Sequence, residues 1–121
     1  MVYESVAVVE SQVAPGVVFK VAKMSFGRRT ELMRQVRELA RRVEFMEAAM
    51  APGEKMDATL LRLEIERLYV KWGVVDIAGL DLDGAPATPQ SLADAGPVDL
   101  FREALRFVLR EVGLSPGERK N

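Results

Sequence analysis

The 121-residue chain contains no histidine and no cysteine. Without imidazole or thiol it lacks the side chains that most often shuttle protons, act as activated nucleophiles or hold soft metals near neutral pH. The lack of cysteine also excludes a disulfide framework, so stability has to come from packing, and it agrees with a cytosolic setting. No apolar run approaches the roughly 20 residues that span a bilayer. The opening stretch from Met1 to Val13 carries Glu4 and Glu10 among its apolar residues and has no basic leader, so it does not read as a secretory signal. Glycines occur singly, with neither G-x-G-x-x-G nor a Gly-Lys-Ser/Thr phosphate loop, and the few hydroxyls have no histidine to activate them. The expectation is a protein that is not an enzyme, carries no cofactor or metal and has no membrane partner.

Hydrophobic residues make up 49% of the chain and charged residues 29%, which suits a single globular domain over residues 1–121. A domain of that size buries roughly two thirds of its unfolded surface. The net charge of −1 hides an uneven distribution. Residues 20–42 hold eight basic groups against Glu31 and Glu38, a local +6 that leaves −7 on the remainder. Such a split favours self-association or an acidic partner, within the reach that salt screening allows.

Around Ala14-Pro15-Gly16, the loosely alternating run from Tyr3 to Val13 and the run from Val17 to Val21 predict an N-terminal β-hairpin. An isolated hairpin is marginal in water, so this one has to lean on helices or on another chain. From Arg28 to Met50, Leu32, Val36, Leu39, Val43, Met46 and Met50 form one apolar helical stripe, and Ala51-Pro52-Gly53 is expected to end it. Arg34, Arg37 and Arg41 project from the opposite side, with Phe45 near them. The row reads first as a solvated face, and Phe45 is what keeps a docking surface as the alternative.

Asp57 is placed to cap a second helix running to Trp72. Its apolar residues fall on two sides, with Leu61, Ile65, Leu68 and Trp72 on one and Met56, Leu63 and Val70 opposite. A helix apolar on two sides must bury both, against its own fold or against a neighbour. After Trp72-Gly73, short extended pieces follow, and Asp81, Asp83 and Gly84 read as a turn because the third acidic position and distal Glu of a calcium loop are missing. Thr88-Pro89 opens a short helical turn through Leu92. A third main helix over Val98 to Val112 buries a wide arc around Phe101, Leu105, Val108 and Val112. Arg102, Arg106 and Arg110 line its outer side near Asp99 and Glu103, and Gly113 caps it with Leu114 in contact. Ser115-Pro116-Gly117-Glu118 has the spacing of a capping box. The fold class expected is α+β and mostly helical, with an N-terminal β-hairpin, three main helices and short extended elements between the second and third.

Several pieces of the second half resemble the tail assembly chaperones of long-tailed bacteriophages and prophages. They are Trp72-Gly73, the turn from Gly79-Leu80 to Asp83-Gly84 with Pro86-Ala87-Thr88 after it, Gly96-Pro97 opening a helix, and the terminal Leu114-Ser115 with Glu118-Arg119-Lys120-Asn121. Lys23-Met24-Ser25-Phe26-Gly27-Arg28-Arg29 is similar to the entry into the first long helix of such chains, so the resemblance covers residues 20–121. It implies a small, mostly helical protein that coats the tape measure protein in the cytoplasm of a bacterial host and helps recruit the tail tube protein. It also implies a longer form made by frameshifting near the end of the short one. No contact residue transfers from the family.

The contact surface expected from the residues themselves is Arg34, Arg37, Arg41 and Phe45 on the first helix with Met56, Leu63 and Val70 on the second, in a chain that forms a homo-oligomer. Two other readings stand beside the chaperone. One is a structural or adaptor protein of a phage or bacterial assembly. The other is a basic-helix nucleic-acid binder, against which the pI of about 5.6 and the missing recognition motifs argue.

Overall fold

A computed structural model describes residues 1–48 and 52–113. Met50, Ala51, Leu114 and the capping-box spacing at Ser115 to Glu118 lie outside the described residues. The fold is α+β and mostly helical, with the β-hairpin at the N-terminus. In chain order the elements are β1 (Val6–Glu10), β2 (Val18–Ala22), α1 (Phe26–Ala48), α2 (Pro52–Gly73), β3 (Val74–Ala78), β4 (Asp81–Leu82), β5 (Ala85–Pro86), α3 (Pro89–Ala95) and α4 (Val98–Val112). The chain divides into two compact units. One joins Met1–Met24 to the chain from Tyr69 onward, and the other is Ser25–Leu68.

In the first unit, Val, Phe and Ala at alternating positions make both arms of the hairpin. The register runs from Val6 opposite Ala22 to Glu10 opposite Val18. β3 adds to the far side of β2, giving an antiparallel sheet of order β1-β2-β3 with a bulge between Lys20 and Val21. One face carries Phe19, Val21, Val74 and Ile77, all buried. The other carries the cross-strand row Val8, Lys20 and Asp76. α4 packs against β2 on the buried face, where the rings of Phe19 and Phe107 meet at 5.9 Å and 56°. Burial of apolar surface stabilises at about 25 cal/mol per Å², and this contact buries Phe19 and Phe107. It gives the hairpin the support that a free two-stranded ribbon lacks.

The loop of the hairpin is fastened by a carboxylate. Ser11 Oγ donates to Oε1 of Glu103 at 2.5 Å, and the amides of Gln12 and Val13 donate to Oε2 at 2.8 and 3.3 Å. Ser11 Oγ in turn accepts from the amide of Ala14 at 2.9 Å. Glu103 is buried, which corrects its placement beside the outer Arg ladder; Arg102, Arg106 and Arg110 themselves are exposed. Burial of a carboxylate is tolerated here because its oxygens accept three hydrogen bonds. Gly79 follows β3 with φ of +81°, and a Cβ there would stand 2.1 Å from the carbonyl oxygen of Gly16, so only glycine lets the two turns approach.

Asp83 and Gly84, at φ of 52° and 83°, form the expected turn, and it joins β4 to β5. Thr88 caps α3 through a reciprocal pair with Ser91, and the helix runs to Ala95 rather than stopping at Leu92. Gly113 ends α4 in the left-handed conformation as expected.

The second unit consists of α1 and most of α2. Ser25 Oγ accepts from the amide of Arg28 at 3.2 Å, and α1 starts at Phe26, two residues ahead of the expected Arg28. Leu32 and Val43 of its stripe are buried, while Val36, Leu39 and Met46 are half-buried. α2 starts at Pro52 and not at a cap on Asp57. Proline lacks only an N–H that a first helical turn would leave unbonded, so the residue expected to stop one helix begins the next. An ion pair joins Arg62 to Glu47. With both side chains nearly half exposed, it contributes little to stability.

Candidate protein-binding surface

The seven expected contact residues fall into three groups. Arg34, Arg37 and Arg41 are exposed on the side of α1 turned away from Leu32 and Val43, and Phe45 extends the row with 78% of its surface open. Met56 and Leu63 are exposed on α2 at 68% and 47%. Val70 is a correction. It continues the stripe of Met56 and Leu63 at helical spacing, yet it is fully buried, because the last turn of α2 belongs to the core of the first unit, where Tyr69 is buried as well. The same stripe is therefore open at one end of the helix and closed at the other.

Leu60, absent from the expected set, is 56% exposed. It stands four residues after Met56 and three before Leu63, which places it on the same stripe. That spacing was the signal that could have found it. Together the three side chains form a continuous apolar strip over two turns of α2, roughly opposite Ala58, which is buried, and Leu61 and Ile65, which are half-buried. The first residues of α1 add an exposed Phe26, which lines a shallow depression with Thr30, Glu31 and Arg34. All of its walls come from one helix, so it is a furrow in a surface and not an enclosed cavity.

Arginine offers planar, permanently charged donors for carboxylates, and Met and Phe offer adaptable apolar area. Among the described residues, no group of three or more aspartates and glutamates is placed to hold a metal ion, and no helix is long and apolar enough to cross a membrane. No protein-family model, curated protein or solved structure matches this chain.

Proposed function

We propose that this is a non-catalytic protein-binding protein of the tail assembly chaperone kind, which holds an extended helical client, the tape measure protein, and helps recruit the tail tube protein in the cytoplasm of a bacterial host. The observation that carries the reading is the open strip of Met56, Leu60 and Leu63 on α2. A holding protein needs apolar surface that its own fold leaves uncovered, and an amphipathic client helix buries its apolar face in such a strip at spacings of three and four. The Arg34, Arg37, Arg41 and Phe45 row supplies a second contact, suited to the acidic side of a client. The resemblance of residues 20–121 to that family supports the choice of client.

Co-expression with a tape measure fragment tests it. Wild-type chain keeps the fragment soluble and co-purifies with it. Met56→Lys with Leu63→Lys removes two anchors of about 1 kcal/mol each, since each is already partly covered, and so weakens the complex on the order of 30-fold. An equal yield of soluble fragment with and without this protein would end the proposal.

A further inference from the structure

The sheet treats its two edges differently. β3, on one side, has Asp76 in mid-strand, a bulge against β2 and contacts from α3. Charge, irregularity and a covering helix are the devices that keep an edge strand from pairing with another chain. β1, on the other side, is Val-Ala-Val-Val-Glu, with its one charge, Glu10, at the end of the strand, no proline or bulge, and an unbroken register with β2.

The hydrogen bonds fix which groups β1 leaves over. The carbonyl of Ser5 accepts from Lys23, and the amide of Ser11 donates to Val17, both at 2.8 Å. Because backbone direction alternates along an antiparallel strand, residues 5, 7, 9 and 11 turn their N–H and C=O groups toward β2. Val6, Val8 and Glu10 turn theirs outward. The open stretch stops there, since the next outward amide, that of Gln12, is already bonded to Glu103. Ala7 and Val9, on the face that α4 covers, are only half-buried, whereas Phe19 and Val21 beside them on β2 are fully buried. Val8, on the other face, is 63% exposed.

We propose that β1 pairs antiparallel with β1 of a second copy of this chain, about a twofold axis at Val8, to make a continuous six-stranded sheet. The occupant follows from the symmetry of the edge. Three outward residues centred on Val8 are self-complementary: Val8 meets its twin, and Val6 meets Glu10 in both directions, so every outward group is bonded. Glu10 faces a valine and never another acid. Ala7 and Val9 fall opposite each other at the close spacing of a pair that is not hydrogen-bonded, which covers the apolar surface α4 leaves open. The pairing is independent of the client strip, which lies in the other unit.

Light scattering across a concentration series tests the pairing on the full chain. Wild type is expected to approach twice the 13.4 kDa of one chain. Val8→Glu is expected to hold the single-chain mass with an unchanged circular dichroism spectrum. Lys20 stands opposite and partners the new charge within the chain, while in the pair two glutamates would collide. Val98→Glu, the same change at an exposed valine that opens α4, is expected to leave the pair intact. The absence of cysteine permits a register test that does not depend on Val8→Glu folding. Val8→Cys is expected to give a disulfide-linked dimer on oxidation, because residues that face one another across such a pair lie about 5.5 Å apart. Glu10→Cys is expected to give none, with its twin about 13 Å away along the strand. A monomeric wild type, a Val8→Glu dimer, or equal cross-linking at residues 8 and 10 would each overturn the proposal. Retention of the dimer by the Met56→Lys, Leu63→Lys chain separates its fate from that of client binding.

Discussion

Glu103→Ala is the substitution whose cost follows most directly from the structure. Its carboxylate accepts from Ser11 Oγ, Gln12 N and Val13 N, and the side chain is 2% exposed. Hydrogen bonds to a charged acceptor contribute about 1.5–3 kcal/mol each. The bond from Val13 is long, and Gln12 and Val13 are exposed enough for water to reach their amides once the carboxylate is gone, so two bonds at the lower end of that range are lost. The expected destabilisation is about 3 kcal/mol, against a total of about 5–15 kcal/mol for a domain. Two effects compete to explain such a loss, the cavity left by the side chain and the orphaned donors. Glu103→Leu separates them. It restores the volume, so a cavity-dominated loss would largely disappear, whereas a loss dominated by the donors stays above about 2 kcal/mol. Urea unfolding followed by circular dichroism measures both variants, and Ser11→Ala completes a double-mutant cycle with an expected coupling of about 1–2 kcal/mol. A Glu103→Ala chain within about 0.5 kcal/mol of wild type would refute the claim that the carboxylate fastens the hairpin loop to α4.

Other outcomes follow from the same geometry. Gly79→Ala combines a left-handed φ with a Cβ placed 2.1 Å from the Gly16 carbonyl oxygen, so it is expected to cost more than about 2 kcal/mol in urea unfolding. Thr88→Ala removes the cap of α3 and is expected to cost about 1 kcal/mol, with loss of amide protection confined to the start of that helix in hydrogen exchange. Met56→Lys with Leu63→Lys changes exposed residues only, so its thermal midpoint is expected to stay near wild type while client binding falls. Val8→Glu is expected to separate the paired sheet edges without unfolding either subunit.

Local signals in the sequence carried over well to the structure. The Pro15-Gly16 turn, the Asp83-Gly84 turn, the Thr88 cap and the Gly113 stop depend on a few adjacent residues, and each stands where those residues place it. The addition of β3 to β2 was not legible, because strands about 50 residues apart pair through tertiary packing that no local pattern encodes. Glu103 illustrates the same gap, since its partner Ser11 is 92 residues away and its neighbours on α4 look like an ordinary solvent-facing ladder. Pro52 was misplaced because proline fits the residue after a helix and the first residue of one equally well.

The candidate surface was legible as a pattern and misjudged at one end. Hydrophobic periodicity on α2 identified two apolar sides, and the side bearing Met56 and Leu63 is open. It could not say that the helix leaves one compact unit for another near Leu68, which is why Val70 is buried although it continues the same stripe. Arg34, Arg37 and Arg41 were placed correctly on the outer side of α1 because the periodicity of Leu32 and Val43 fixes that helix's orientation.

Hydrogen exchange of the full chain, alone and with a tape measure fragment, tests the central claim most directly. The account predicts slower exchange over residues 54–66 of α2 in the complex, with α4 unchanged. Unchanged exchange across α2 in the presence of a bound fragment would contradict it.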